Sequence, residues 1–218
     1  MTKHVDNTIV ALLLDETGSM NSVRDRTISG FNEYVGILKT NEIPTTLKMI
    51  TFNTDSFSVP YDHEDIASVV DLTREFYSPR AMTNLYDALA KLIHDTEIYI
   101  KGMCPKPEVI CTIMTDGMEN SSVAYTRKRI AELISEKEKA GWAFVYLGAN
   151  QDAWAVSESM GIDRGNSANY RAEAPDQAFR STAEATGRYI RKRVKGKVEQ
   201  FFVEEDLVAI KGHKSGRH

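Results

Sequence analysis

Cysteine is scarce in this chain of 218 residues: the two present, Cys104 and Cys111, do not stand at the paired spacings of a zinc site. Cys111 lies inside an apolar run, where a thiol behaves as a small hydrophobe, and both are read as reduced. Long hydrophobic runs are missing as well. Ile9 to Leu14 is too short for a signal-peptide core and ends at an acid, and no other uninterrupted run approaches membrane-spanning length. These absences predict a cytoplasmic protein. There is no excess of positive charge either. A net charge of -4 gives no overall electrostatic reason to bind nucleic acid or an anionic membrane. The glycine-rich phosphate loop G-x-x-x-x-G-K, the dinucleotide fingerprint, H-E-x-x-H and G-x-S-x-G do not occur, and the five histidines are scattered. No internal repeat or low-complexity tract interrupts the chain.

What is present is ordinary globular composition, 42% hydrophobic and 27% charged, in a length that suits one well-buried domain. Short all-apolar runs recur at Thr8–Leu14, Leu47–Phe52, Val109–Met114 and Ala143–Leu147, the signature of strands covered on both faces. Segments of helical periodicity lie between and after them: Ser22–Lys39, Asn84–Ile100, Tyr125–Lys139 ending at Ala140-Gly141, and Pro175–Arg193. The alternation predicts an α/β fold, a doubly wound, mainly parallel Rossmann-like sheet with helices on both faces and ligand sites at the carboxyl ends of its strands. Pro60 marks Phe52–Glu64 as a turn and a short antiparallel edge strand. Asn150-Gln151-Asp152 is expected to cap a short helix through about Met160, with "SANY" entering a last strand. The domain is taken to run over residues 1–197. The basic stretch Arg188–Lys197 reads as a solvated helix end. The tail 198–218 holds Phe201, Phe202 and Val203 and is expected to pack back on the domain or to dock on a partner or neighbouring subunit.

Three polar segments then fall at one edge of that sheet. In "VALLLDETGSMNS" the first apolar run stops at Asp15, and Gly18 permits a tight turn in which the Thr17 and Ser19 hydroxyls converge with the Asp15 carboxylate. Taken alone this is either a helix cap or an all-oxygen site for a hard cation. "VICTIMTDGMENS" places Asp116 after another buried strand, and "SPRAMTNLYDALAKLI" places Thr83 just before a helix.

Together these residues resemble the von Willebrand factor A domain family, in its intracellular bacterial and phage-type form. That family's metal-ion-dependent adhesion site combines a D-x-S/T-x-S loop, a distant threonine and an aspartate after a buried strand. The likeness covers roughly Asn7 to Tyr170, and Thr17 retains the ligand oxygen where many members have serine. It implies a protein-interaction module rather than an enzyme. Thr17, Ser19 and Thr83 would coordinate directly, Asp15 and Asp116 largely through water, and Glu119 and Asn120 would line a partner-binding rim. Neutral alcohol ligands leave the ion electron-poor, so a partner's Asp or Glu would complete it. Magnesium suits compact hydroxyl ligation best, manganese next, calcium less.

Two other readings compete. Haloacid-dehalogenase-like phosphotransferases also carry a magnesium-binding aspartate after the first strand, but here Thr17 stands where their second aspartate would act as general acid and base. A metal-free scaffold would keep the fold and use the hydroxyls only to cap the first helix. Oligomeric state is left open.

Overall fold

The strand β1, Thr8–Asp15, is buried along its whole length, which is why its sequence lacks the alternation of a half-exposed strand. It pairs in parallel with β2, Thr45–Asn53, on one side and with β4, Glu108–Thr115, on the other. In this computed structural model, which describes residues 7–40, 44–149, 152–194 and 200–211, the sheet continues outward through three further pairings. β3, Ser56–Asp65, lies antiparallel to β2 at one edge, while β5, Ala143–Gly148, and β6, Ser167–Asn169, extend the parallel ladder at the other. The order is β3-β2-β1-β4-β5-β6.

Successive residues of β1 face opposite layers. Val10, Leu12 and Leu14 belong to the core beneath α1, Arg24–Lys39, and α5, Pro175–Val194. Ile9, Ala11 and Leu13 belong to the core beneath α2, Leu85–Ile100, α3, Arg127–Lys139, and α4, Ala153–Ser159. α1 and α5 approach so closely that a Cβ on Gly30 would stand 2.6 Å from the Cα of Asp176. Phe179 of α5 meets Phe31 edge-on beside this contact, with ring centroids 6.2 Å apart.

The chain leaves β1 toward one layer and β4 toward the other. Adjacent connections therefore diverge above β1 and β4, and this is the crevice in which open α/β sheets collect ligands. The predicted strands and helices all occur, with boundaries displaced by a residue or two where caps decide them. α3 starts at Arg127 because Thr126 caps it, accepting the Arg129 N–H at 3.3 Å. A 3-10 turn, Gly18–Val23, precedes α1 and buries Met20 completely, so Met20 serves packing. The edge strand spans 10 residues and is longer than expected, since it follows β2 through two register shifts that accommodate Pro60 and a left-handed His63 at φ 59°.

Beyond α5 the chain returns to the core. Phe201 and Phe202 are 1% and 2% exposed and sit in the layer of α1 and α5, and α6, Glu204–Lys211, follows them. Arg188 pairs with Asp206 of α6, and Arg193 reaches Glu108 at 2.8 Å and the Gly141 carbonyl at 2.8 Å, so part of the basic stretch is engaged in packing rather than solvated. Lys195 and Lys197, the Asn150-Gln151 turn, the ends of the tail and the histidines at 4, 213 and 218 lie outside the described residues. Asp152 caps α4 as expected, accepting from Trp154 and Ala155. Cys104 and Cys111 are free thiols, the first exposed and the second buried.

Candidate metal centre at the carboxyl edge of the sheet

Asp15 is the last residue of β1 rather than part of the following loop, and it is fully buried. Its two carboxylate oxygens are separately held: Oδ1 accepts the Thr17 N–H at 2.8 Å, and Oδ2 accepts the Thr115 hydroxyl. The first contact closes a turn that directs the next residues back over the strand end. Thr17 Oγ1 and Ser19 Oγ then lie 3.1 Å apart, and the Ser19 hydroxyl donates to Asp116 Oδ1 at 2.6 Å. The loop after β1 is thereby joined to the loop after β4.

Thr83 arrives from the segment before α2. Its N–H donates to Asn120 Oδ1 at 3.2 Å, and its carbonyl accepts the Asn120 N–H at 3.1 Å. This clasp holds the Thr83 loop against the segment that follows Asp116. The position of Gly117 measures how tightly: a Cβ there would stand 2.9 Å from Thr83 Oγ1 and 3.6 Å from Asp15 Oδ2. Only a residue without a side chain leaves that space to oxygen atoms. The five residues Asp15, Thr17, Ser19, Thr83 and Asp116 are thus gathered from the end of β1 and three loops into one cluster.

The cluster is electrostatically unusual. Burial pushes the Asp15 carboxyl up to about 6, against the hydrogen bonds from Thr115 and Thr17 that favour its charged form, and the nearby Asp116 charge adds to the rise. Burial raises Asp116 too, with the Ser19 hydrogen bond opposing it. Two desolvated carboxylates side by side form a pair that a cation would relieve. Among the described residues no group of three or more His, Cys, Asp or Glu side chains is arranged around a common point. The donor set is instead two carboxylates and three hydroxyls, the composition of a site for a hard cation rather than a soft one.

Glu119 and Asn120 are tied into the framework. Glu119 Oε2 accepts the Tyr86 N–H at 3.0 Å and the Ser122 hydroxyl at 2.7 Å, so it satisfies the start of α2. Asn120, besides holding Thr83, accepts the Ser121 hydroxyl at 2.6 Å. Nearer the open edge are Met82 and Met118, 58% and 67% exposed, each within two residues of Thr83 or Asp116.

Sequence reasoning missed four contributors. Thr115 orients Asp15, and its place just before Asp116 was the available signal. Gly117 makes room for Thr83. Tyr77 donates its hydroxyl to the Asp15 carbonyl at 2.7 Å. Glu16, which reads as a loop acid, is 3% exposed and braces the first loop: its carboxylate accepts from Thr51 at 2.8 Å and from the Ser78 N–H. Nothing in the sequence distinguishes it from a solvated glutamate.

No protein-family model and no curated protein matches the chain by sequence. Solved structures do. Proximal thread matrix protein 1 from the mussel byssus, in a structure with a zinc-occupied MIDAS motif, is 12% identical with a TM-score of 0.60 over 83% of this chain and 46% of that one. The pilus adhesin SpaC from Lactobacillus rhamnosus GG, in its open conformation, is 9% identical with a TM-score of 0.61 over 83% of this chain and 30% of that one. The chain spans less than half the length of either. At these identities the likeness is one of fold: an α/β sheet of the von Willebrand factor A type, mostly parallel with one antiparallel edge strand. Among the described residues no helix is long and apolar enough to cross a membrane.

Proposed function

We propose that this chain is a metal-dependent protein-interaction module, in which a divalent cation held at the crevice above β1 and β4 receives an Asp or Glu side chain from a partner protein. The observation that carries this reading is the joining of the Asp15–Ser19 loop to Asp116 and Thr83 in a single oxygen-lined cluster. Thr17, Ser19 and Thr83 would supply hydroxyl ligands directly, and Asp15 and Asp116 would act mainly through bound water, orienting those ligands and balancing the charge. When bound, the ion would supply a Lewis-acidic coordination position and no redox chemistry.

Spacing supports a small ion. Cis ligands of an octahedral ion with bonds of roughly 2.1 Å stand about 3.0 Å apart, whereas bonds of roughly 2.4 Å, as for calcium, require about 3.4 Å. The Thr17 and Ser19 oxygens are 3.1 Å apart, which fits magnesium or manganese better than calcium. The zinc in the similar mussel protein's MIDAS motif supports divalent binding in this fold without selecting the ion.

Asp15 is a poor candidate for a phosphotransferase nucleophile, because it is fully buried with both oxygens engaged. The structurally similar proteins, a byssal matrix protein and a pilus adhesin, also favour binding over catalysis. Met82 and Met118 would give the ion an apolar margin against which a partner can pack. Glu119 and Asn120 would set the shape of that rim through the Thr83 and α2 contacts rather than touch the partner first. The two unpaired thiols support a reducing, intracellular setting.

Isothermal titration with magnesium chloride tests the assignment. Wild type is expected to bind one ion and Asp15→Ala none; an absence of binding by both would remove the metal-site reading.

A further inference from the structure

Next to the candidate cation site lies a cleft of about 600 Å³ whose wall begins at Asn21 and Ser22, in the turn that carries Ser19. Ser22 Oγ approaches the Ser19 carbonyl at 3.5 Å, so the cleft and the oxygen cluster share one short stretch of backbone. Arg24, Arg26 and Arg74 line it. Arg24 donates through Nε to the Tyr77 carbonyl at 2.8 Å and through Nη2 to the Arg74 carbonyl, and Arg26 donates to the Glu173 carbonyl at 2.5 Å. Carbonyls fix these guanidiniums in place without neutralising them.

Asp25 and Glu173 also line the cleft, each paired with an arginine other than Arg24 and Arg26. Asp25 is held by Arg74, although Arg24 is near enough to contribute to its field, and Glu173 lies 3.8 Å from Arg171. Among the described residues neither Arg24 nor Arg26 has a carboxylate within salt-bridge distance. Helix α1 opens into the same place. Its first turn continues the 3-10 turn Gly18–Val23, whose Asn21 carbonyl accepts the Arg24 N–H, and it carries Asp25. Two arginines held only by backbone carbonyls, among the described residues, and an open volume beside a site that would itself take a carboxylate form one continuous surface that can receive anions.

We infer that this arginine cleft is a second carboxylate site, and that the partner presents an acidic segment with one side chain on the cation and further Asp or Glu residues a short distance along the chain, between Arg24 and Arg26. The inference rests on the cation reading for its first anchor and adds the charge pattern of the partner. A single isolated acid would use only half of the surface. Arg24 and Arg26 have guanidinium donors left over for bidentate contact, and both are held by backbone acceptors before the partner arrives.

Two labelled peptides of equal length, followed by fluorescence anisotropy with the full chain, test it. One carries a single glutamate in a glycine-serine background; the other carries the same glutamate with a glutamate pair farther along. In magnesium the second is expected to bind about tenfold tighter, and the double variant R24Q/R26Q to abolish that advantage while leaving the single-acid affinity unchanged. Equal affinity of both peptides for wild type, or an advantage that survives the double variant, overturns the cleft. Arg26 is exposed and bonded only to a carbonyl, so Arg26→Glu serves if the double variant melts early: it should make the triacidic peptide bind more weakly than the single-acid one, and an unchanged preference again overturns the cleft. Repeating the series in chelator separates the two ideas. Single-acid binding that is equal in magnesium and chelator defeats the cation reading, whereas the cleft stands or falls on whether the triacidic advantage depends on Arg24 and Arg26.

Discussion

The Ser19 hydroxyl donates to Asp116 Oδ1 at 2.6 Å, linking two loops whose residues are 97 positions apart in the chain. This one contact closes the crevice at the switch point of the sheet, and the same two oxygens are proposed to face a cation. Ser19→Ala removes a ligand and the tie between loops together. Magnesium affinity is expected to fall at least about tenfold, in the range found when ligand-orienting partners are removed, with a modest loss of thermal stability. Titration calorimetry beside a melting curve distinguishes this from unfolding: a variant that melts normally and binds as wild type would contradict the role of Ser19.

Gly117→Ala addresses the cluster by volume alone. The new methyl would meet Thr83 Oγ1 at 2.9 Å, closer than a Cβ tolerates, so the Thr83 side chain or the Gly117 backbone must shift. The expected outcome is a strong loss of magnesium binding with the fold intact by circular dichroism, because no charge and no hydrogen-bonding side chain has been removed. Retained affinity would show that the Thr83 loop yields, and that Thr83 is not required as a ligand.

The burial of Asp15 makes a pH prediction whose sign is opposite to that of a salt-bridged carboxylate. Its carboxyl is raised from 3.8 to about 6, so the folded chain holds a proton that the unfolded chain releases across that interval. The stability contributed by this group is fully present below pH 3.8, and is lost as pH rises through about 6. A cation opposes the loss by neutralising the charged form. Thermal melts in chelator should show this component declining toward neutral pH, and the magnesium-induced rise in melting temperature should be larger at about pH 7.5 than at about pH 5. Asp15→Asn should flatten both trends; a magnesium effect independent of pH would contradict the assignment.

How far these features could be read in advance depended on whether a residue's role is local. The buried strands announced themselves because double-sided burial requires continuous apolar runs; Asp15 and Asp116 stand where such runs end and Thr83 just before a helix, but only the family resemblance grouped them with Thr17 and Ser19 as one proposed site. Glu16 and Tyr77 gave no such signal: each acts through tertiary contacts to Thr51, Ser78 or the Asp15 carbonyl that no spacing encodes. The basic stretch after Arg188 looked solvated for the same reason. Charge is visible in sequence, but Glu108 at the start of β4 as the partner of Arg193 is not.

The tail offers the last test, since its place is set by aromatic burial rather than by charge. Phe201 is 1% exposed, lies 4.9 Å from Phe202 edge-on and 5.3 Å from Tyr189 of α5, and its N–H donates to Asn166 at 3.0 Å. Such a residue anchors the segment between α5 and α6 to the end of the sheet. Phe201→Ala should therefore cost about 3–5 kcal/mol, the range for removing a fully buried aromatic ring, and equilibrium urea unfolding measures it. If the tail were instead a docking arm that leaves the domain in solution, the same substitution would leave the unfolding midpoint nearly unchanged and alter self-association, which sedimentation velocity would detect. The contact of Phe201 with both Tyr189 and the Asn166 side chain argues for the first outcome, because an arm that departs would strip an aromatic contact and a hydrogen bond from the core in one step.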